Sequence, residues 1–294
     1  METKPIISHI VMVPFTGLGR FGGFRGDKWL KNRIKIFKEY TLQSLMNQKS
    51  LNFVLWCSWR PEEKENPIVK EFYKNLLQLR GLTVIFTYHG LCFYDDKAEN
   101  AGEKLLENLK QTLPELKQHA IGDWIYLTIN PSDDMYLFYI FDDLQRIPPS
   151  ECAILITTGY IMNYNTKEIA EYNPDTIPPF FTIMFPRDKF LDPQKHLDYI
   201  GPYESHEYIK DYFFFETLKC RGFVVGTHGE NISTTIDHPY VGRMLEDWEK
   251  DSIMILTGTL FSEPIPIKKR LRGLGKYLPE FIRNLYYKQN VIRI

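Results

Sequence analysis

Two adjacent carboxylates, Asp133 and Asp134, follow closely on the apolar run IYLTI at 125–129. Neighbouring like charges repel each other, so such a pair is retained most easily where a hard cation or several hydrogen-bond donors neutralise it. A divalent ion that carries a diphosphate would do this. The alternative is a solvated turn or a helix cap, which most adjacent aspartates form. Two further pairs, at 95–96 and 142–143, fit that description equally well.

A histidine also follows an apolar run. His228 comes directly after FVVGT (223–227), and the loop HGENISTT is rich in residues whose backbone N–H groups can reach phosphate oxygens. Asn231 lies in this loop. Two aspartates, a histidine and diphosphate oxygens suit Mn²⁺ or Mg²⁺ better than zinc, because no thiolate accompanies them. His228 is the favoured ligand and His238 the second candidate; the alternative for either is an ordinary core or surface histidine.

The turn after the first apolar run is rich in glycine. PFTGLGRFGGFRGDKW (14–29) contains five glycines, which let the backbone approach a ligand closely. Arg20, Arg25 and Arg33 could bind a diphosphate through charge-assisted hydrogen bonds. GLGRFG is close to GxGxxG, but a dinucleotide-binding loop opens directly into a helix, and this one runs on to Asp27. A Rossmann dehydrogenase is therefore a poor fit. The alternative to a ligand role is a flexible surface loop with Asp27 as helix cap.

Strands and helices that could position these groups alternate along the first 145 residues. Apolar runs predict strands at 6–15, 52–59, 82–90 and 123–129, and helical spacing predicts helices at 29–48, 66–81 and 101–116. This alternation predicts an open, mostly parallel sheet covered on both faces, because parallel neighbours need a crossover connection. Asp133 and Asp134 then lie just past the carboxyl end of the fourth strand, where ligands bind in such sheets.

Four stretches of the sequence together resemble the rhamnosyltransferase family of glycosyltransferases. They are HIVMVPF, GFRGDKWLKNRIKIFKEYTLQSLMNQKSLNFVLWCSW, SDDMY and VVGTHGENIS, and the resemblance covers most of residues 6–245. It implies an α/β fold of the GT-A-like, Rossmann-related kind, with a mixed, mostly parallel sheet flanked by helices. It also implies transfer of a hexosyl or rhamnosyl group from a nucleotide-activated sugar.

The strand-end motif departs from the pattern Thr-Arg-x-Asp-x-Asp-Asp that is usual in this family. Ile129 and Pro131 stand where the family has its arginine and its first aspartate. Asn130 or Ser132 could offer a neutral oxygen to the nucleotide sugar instead.

The expected site residues form two groups. The resemblance implies that Mn²⁺ or Mg²⁺ is held by Asp133, Asp134 and His228. The nucleotide sugar is expected at Arg25, Arg33, Asn130, Ser132, Asp133 and Asn231. Arg25 and Arg33 are favoured over Arg20 because they fall in the part of the chain that resembles the family most closely.

Glycosyl transfer with inversion also needs a carboxylate to accept the proton of the acceptor hydroxyl. The candidates within 185–209 are Asp188, Asp192, Glu204, His206 and Glu207. Glu204 is the favoured catalytic residue because Gly201 and Pro202 place it in a turn. An enzyme that retains configuration needs no such base.

The overall charge is nearly balanced. With 36 basic and 37 acidic side chains the formal net charge is −1, so no global field attracts a polyanion, and nucleic acid is not expected as a partner. The sequence opens without a secretory signal pattern and contains no apolar stretch long enough to cross a bilayer. Four well-separated cysteines without a CxxC pair indicate reduced thiols. We therefore expect a cytoplasmic protein.

The last 31 residues differ in charge from the rest. Residues 264–294 carry eight basic side chains against Glu280 alone. We expect a glycosyltransferase domain over 1–263 and a basic helical extension over 264–294. The extension would dock on the domain with a solvated basic face or make a peripheral contact with anionic lipid.

These observations lead to one expected function and two alternatives. We expect a metal-assisted glycosyltransferase that moves a sugar from a nucleotide sugar donor to a hydroxyl of a saccharide, glycan or lipid-linked acceptor. The first alternative is a catalytically inactive sugar-nucleotide or carbohydrate-binding module. The second is a metal-dependent phosphohydrolase, for which paired aspartates would also serve.

Overall fold

A computed structural model describes residues 5–16, 26–90, 101–200, 206, 209–228, 236–237 and 239–259. Several expected features lie outside these residues, namely Arg20, Arg25, Glu204, Glu207, Asn231, His238 and the extension 264–294.

The described chain forms twelve strands, nine α-helices and two short helical turns of other types. The strands are β1 (Ile7–Pro14), β2 (Val54–Ser58), β3 (Thr83–Thr87), β4 (Trp124–Ile129), β5 (Met135–Tyr136), β6 (Ala153–Leu155), β7 (Thr158–Asn163), β8 (Ile169–Tyr172), β9 (Phe181–Pro186), β10 (Phe215–Thr217), β11 (Arg221–Thr227) and β12 (Val241–Met244). The α-helices are α1 (Asp27–Ile36), α2 (Leu42–Met46), α3 (Pro67–Leu77), α4 (Ala101–Leu116), α5 (Ile140–Leu144), α6 (Arg187–Leu191), α7 (Pro193–Ile200), α8 (Ile209–Tyr212) and α9 (Asp247–Leu256). The other two are a π-helical turn, Phe37–Thr41, and a 3₁₀ turn, Pro61–Glu63.

The larger of two sheets contains seven strands in the order β10-β6-β9-β4-β1-β2-β3. Strands β1 to β4 are parallel, and β9 is antiparallel to both of its neighbours, β4 and β6. The predicted mixed, mostly parallel α/β sheet is therefore confirmed. None of the described helices combines the length and apolarity that crossing a bilayer requires.

A second sheet of five strands, which sequence patterns did not predict, has the order β12-β8-β7-β11-β5. Its strand β5 directly follows the aspartate pair and is antiparallel to β11, with Met135 opposite Val224 and Tyr136 opposite Phe223. The strand that leads to His228 is thus fixed beside the turn that carries Asp133 and Asp134.

The segment predicted as one helix over 29–48 is helical from Asp27 to Met46 but contains the π-helical turn in its middle. The five residues that recur at helical spacing along this segment are all buried: Leu30, Ile34, Phe37, Thr41 and Leu45. A π-turn places one extra residue in a helical turn and so rotates the helix that follows. The π-helical turn follows Arg33 and includes Tyr40. The side chains of both residues extend towards Asp133 and Asp134.

Aromatic rings fix this helical segment and α3 on the larger sheet. Phe15, just after β1, stacks on Trp59 at 4.4 Å between ring centroids and meets Phe37 and Phe72 edge-on at 4.8 and 5.4 Å. These four side chains are at most 3% exposed. Because such interiors are close-packed, the position of the α1 backbone is closely determined. The aromatic layer therefore sets where Arg33 can reach.

A polar network crosses the buried face of the larger sheet. Gln145 Nε2 donates to His9 Nδ1 at 2.9 Å, so the neutral ring carries its proton on Nε2 and donates it to Thr128 Oγ1 at 2.8 Å. Thr128 and Thr182 share a hydrogen bond of 2.6 Å. A second buried histidine, His196, donates from Nδ1 to the Phe190 carbonyl at 2.8 Å. Burial favours the neutral form of both imidazoles.

The two buried histidines predict how stability depends on pH. Burial lowers the pKa of His9 to about 3 and that of His196 to about 4, from an ordinary value of 6.5. Between these limits the unfolded chain binds protons that the folded chain does not. The free energy of unfolding should then fall as the pH falls from 6.5 to about 4, by about 1.4 kcal/mol per pH unit for each histidine.

Urea unfolding of the wild type and of His9→Gln at about pH 7, 6 and 5 measures this dependence. The variant should lose less stability than the wild type as the pH falls, because its slope is smaller by the share of one histidine. Equal slopes for the two proteins would contradict the assignment of His9 as a buried neutral base.

Candidate functional site

A tight turn at the carboxyl end of β4 carries the aspartate pair. The Asn130 N–H donates to the Met12 carbonyl at 2.9 Å, which continues the pairing of β4 with β1. The Asp134 N–H then donates to the Pro131 carbonyl at 3.3 Å and closes the turn. The Tyr136 hydroxyl donates back to the Ile129 carbonyl at 2.7 Å. The pair thus lies where the sequence predicted it, just beyond the fourth parallel strand.

Asp133 contacts two cationic or potentially cationic side chains. Its Oδ2 lies 2.5 Å from Arg33 Nη1 and 3.1 Å from His228 Nε2, and its side chain is only 14% exposed. Burial alone would raise the pKa of Asp133, but the charge of Arg33 and the contact with His228 outweigh it and lower that pKa to about 2. Asp133 is therefore ionised at neutral pH. Three residues that the sequence singled out separately meet at one oxygen atom.

Asp134 is in a different environment from its neighbour. Its Oδ1 accepts a hydrogen bond from the Gly226 N–H at 2.8 Å, and the residue is 6% exposed. Burial, followed by the negative charge of Asp133, raises the pKa of Asp134 well above its ordinary value. Two neighbouring buried carboxylates repel each other when both are ionised, so their pKa values move apart.

Gly226 is required for this arrangement. A Cβ atom built on Gly226 would lie 2.3 Å from the ring of Tyr164 and 2.4 Å from the Asp133 carbonyl oxygen. Only a residue without a side chain lets β11 approach closely enough for its N–H to reach Asp134. The sequence showed this glycine within an apolar run, but nothing in its spacing pointed to the contact.

Two tyrosines complete the surroundings of Asp133. The Tyr164 hydroxyl donates to the Asp133 carbonyl at 2.5 Å, and its ring stacks on that of Tyr40 with centroids 3.5 Å apart. The ring of Tyr164 is also nearly parallel to that of His228, at 6.3 Å. Lys167 contacts the Tyr40 hydroxyl and lies 4.7 Å above its ring. Sequence reasoning missed Tyr40 and Tyr164, because no motif distinguishes them from core tyrosines.

Asn130 is an exception to the rule that buried polar groups are paired. Its side chain is fully buried, and neither Oδ1 nor Nδ2 has a hydrogen-bond partner among the described residues. A buried amide without partners costs about 1–3 kcal/mol, and in a native protein it calls for an explanation such as a ligand or an ordered water. Ser132, the other expected source of a neutral oxygen, is 4% exposed.

Within the described segments, no three His, Cys, Asp or Glu side chains are arranged to hold a metal ion. The guanidinium of Arg33 takes the place of a cation on Asp133, and Asp134 binds a backbone N–H. As they stand, these side chains do not fit a divalent ion. The ligand set Asp133, Asp134 and His228 stays a prediction, as do the roles of Arg25 and Asn231, which lie outside the described residues.

Three candidates for a catalytic base, Asp188, Asp192 and His206, lie within the described residues. Asp192 Oδ1 accepts from the Lys195 N–H at 3.0 Å in the first turn of α7, and Asp188 lies 3.5 Å from the Lys195 ammonium. His206 Nδ1 lies 2.5 Å from the Ile177 carbonyl. Asp192 thus acts as a helix cap. The favoured base, Glu204, lies outside the description.

Of the two other aspartate pairs, the one at 95–96 lies outside the described residues, and the one at 142–143 behaves as an ordinary surface pair. Asp142, in α5, lies 2.9 Å from the Lys49 ammonium and 2.6 Å from the Arg146 guanidinium, and all three side chains are partly exposed. This is the helical environment that the sequence suggested for the pair at 142–143. Asp142 therefore provides a control for substitutions at Asp133.

Comparison with known proteins gives likenesses to solved structures alone. No family model matches the chain, and no curated protein matches it significantly. In total 81 chains of solved structures match it. TarS of S. aureus is 13% identical with a TM-score of 0.38, over 75% of this chain and 37% of TarS. The glycosyltransferase GlyE of Streptococcus pneumoniae TIGR4 is 14% identical with a TM-score of 0.34, over 74% of this chain and 46% of GlyE.

A third solved structure is similar over most of its length. Mouse xyloside xylosyltransferase 1, in its apo form, is 15% identical with a TM-score of 0.36, over 74% of this chain and 86% of that protein. The chain spans less than half of TarS and of GlyE. Every one of these TM-scores is below 0.5, so these structures do not assign a function to this chain.

The close approach of β11 leads to a prediction for Gly226→Ala. The added methyl group would collide with backbone and with a stacked ring, so the free energy of unfolding should fall by about 3 kcal/mol, the upper end of what overpacking costs. Gly242→Ala is the matched control, because a Cβ at this strand glycine meets nothing closer than 3.4 Å. Urea unfolding measures both, and equal losses would contradict the requirement at Gly226.

Proposed function

We propose that this chain transfers a glycosyl group from a nucleotide-activated sugar to a hydroxyl group of a saccharide acceptor. The observation that carries the proposal is the convergence of Arg33, Asp133 and His228. Arg33 comes from the first helix, Asp133 from the end of the fourth parallel strand and His228 from the end of β11. They meet at the carboxyl end of the parallel strands, where α/β proteins bind ligands. The motif resemblance implied Arg33 and Asp133 at the nucleotide sugar, and Asp133 and His228 at the metal ion.

Glycosyl transfer requires that negative charge on the departing diphosphate be stabilised. Arg33 supplies a permanent positive charge and His228 a hydrogen-bonding imidazole, and Asp133 orients both of them. Preorganised groups of this kind stabilise a developing charge without rearranging during the reaction. The buried amide of Asn130 offers a further donor and acceptor next to the pair, both without a partner in the described chain.

The finer features of the reaction belong to the same proposal. The resemblance supports a hexosyl or rhamnosyl donor, and a glycan or a lipid-linked molecule as acceptor. Peripheral contact with a membrane through residues 264–294 and a base at Glu204 stay predictions. The participation of Mn²⁺ or Mg²⁺ also stays a prediction.

One observation favours the alternative of a non-catalytic binding module. Asp133 is already neutralised by protein groups, and the family's arginine and first aspartate are replaced by Ile129 and Pro131. A module that binds a nucleotide sugar without turnover would keep the same cluster. The two functions therefore differ in turnover and not in binding.

An assay with UDP, GDP and dTDP sugars, with and without a divalent ion, tests the proposal. Release of nucleoside diphosphate with saturation kinetics, by hydrolysis or by transfer to added saccharides, is the expected result. Saturable binding without release would identify a binding module. Release of phosphate from simple phosphoesters would identify a phosphohydrolase, and no binding of any nucleotide sugar would reject all nucleotide-sugar functions.

The buried ion pair allows stability and activity to be separated. Asp133→Asn alone should destabilise the fold by about 3 kcal/mol or more, because it leaves the Arg33 charge buried without its partner. The double variant Arg33→Met and Asp133→Asn removes both charges and should recover most of that loss. Its turnover of the donor should still be lower than that of the wild type, on the order of 100-fold in kcat/KM.

Chemical unfolding and donor turnover of the three proteins are measured side by side. Asp142→Asn is the control, and it should change stability by less than about 1 kcal/mol and leave turnover unchanged, because its ion pairs are partly exposed. A stable double variant with wild-type turnover would show that the cluster has only a structural role.

A further inference from the structure

Arg33 is fixed against the acidic pair. It is 8% exposed, its Nη1 lies 2.5 Å from Asp133 Oδ2, and its guanidinium lies 5.5 Å from the ring of Trp29, one helical turn earlier. The helix that carries it is fixed by the buried aromatic layer around Phe37. A movement of Arg33 away from Asp133 would separate a buried ion pair, which is costly.

A divalent ion on the same carboxylate would lie very close to this guanidinium. Oxygen ligands hold Mg²⁺ at about 2.1 Å, so an ion on Oδ2 could be no further than about 4.6 Å from Nη1. At that separation two positive charges repel strongly in a buried site, where solvent screens them little. The ion and Arg33 therefore compete for one position.

We propose that Arg33 is the resident cation of the aspartate pair, so that the site binds the diphosphate of its donor without a divalent metal ion. This inference rests on the proposed function and specifies how its site is charged. It departs from the metal-assisted reaction that the resemblance implied.

One nitrogen of Arg33, Nη1, is buried without a well-formed hydrogen bond. Its Nη1 forms the ion pair with Asp133 but makes no hydrogen bond of good geometry with any described residue. A guanidinium carries five N–H donors in a planar fork that matches phosphate oxygens. Asp133 would then hold the fork in place, and the diphosphate would complete its hydrogen bonds.

The same geometry predicts that a metal ion can bind to Asp133 and His228 once the Arg33 guanidinium is removed. Asp133 Oδ2 and His228 Nε2 are 3.1 Å apart. This is roughly the spacing that two neighbouring ligands of one octahedral ion keep, when each lies about 2.1 Å from it at a right angle. Removing the guanidinium should therefore allow this carboxylate and this imidazole to bind an ion together.

Titration with Mn²⁺ alone, followed by electron paramagnetic resonance of the free ion, tests the inference on the full chain. Arg33→Gln should bind Mn²⁺ on the order of 10- to 100-fold more tightly than the wild type. The double variant Arg33→Gln and Asp133→Asn should lose this gain. Arg33→Ala provides a second neutral variant if Arg33→Gln fails to fold, and stabilisation of either variant by Mn²⁺ in thermal unfolding gives an independent readout.

Each outcome decides the proposal. Tight binding of Mn²⁺ by the wild type that Asp133→Asn abolishes would overturn it, because the ion would then coexist with Arg33. Equal and negligible binding by the wild type and by both neutral variants would also overturn it, because Arg33 would not be what keeps the ion away.

A nucleotide titration separates this inference from the proposed function. The wild type should bind a nucleoside diphosphate with the same affinity in excess EDTA as in Mn²⁺. Binding that requires Mn²⁺ would overturn the inference and leave the proposed function standing. Absence of nucleotide binding under both conditions would count against the proposed function, while the titration with Mn²⁺ alone would still decide whether Arg33 excludes the ion.

Discussion

The buried contact between Asp133 and Arg33 is the constraint on which the rest of the site depends. Removing a carboxylate from water costs several kcal/mol unless nearby charges and hydrogen-bond donors replace the solvent. Here those partners come from distant parts of the chain, since Arg33 lies in the first helix and His228 follows β11. The aromatic layer fixes the position of α1, and Gly226 lets β11 approach closely. Both features bring these partners to Asp133. The packing around Asp133 Oδ2 therefore stabilises one buried charge.

The second sheet has a specific part in this support. Its strands β5 and β11 pair immediately after the aspartate turn, and Tyr164, just beyond β7, holds the Asp133 carbonyl. The π-helical turn brings Tyr40 against Tyr164 on the other side. Asp133 is paired with Arg33, whose charge lowers the pKa of Asp133, while burial and the charge of Asp133 raise the pKa of Asp134.

The sequence predicted the parts of the fold that rest on long, regular patterns. Strands β1 to β4 and the helices between them follow from apolar runs and helical spacing, and the position of Asp133 and Asp134 follows from the end of the fourth run. Within the second sheet, β11 corresponds to the apolar run FVVGT, while β5, with two residues, is too short to give a pattern. Arg33 and His228 were singled out separately, but their meeting at Asp133 depends on packing between segments almost 200 residues apart. Gly226, Tyr40 and Tyr164 act through three-dimensional contacts that leave no local signal.

In the proposed function, Arg33, Asp133 and His228 form the place where a donor diphosphate binds. The most direct measurement is a crystal structure of the chain grown with a nucleotide sugar, chosen from UDP, GDP and dTDP sugars by affinity. We predict that diphosphate oxygens lie within about 3 Å of donor atoms of Arg33 and His228, with Asp133 still paired to Arg33. A nucleotide sugar bound away from the carboxyl end of β4, with this cluster unchanged, would contradict this role of the three residues.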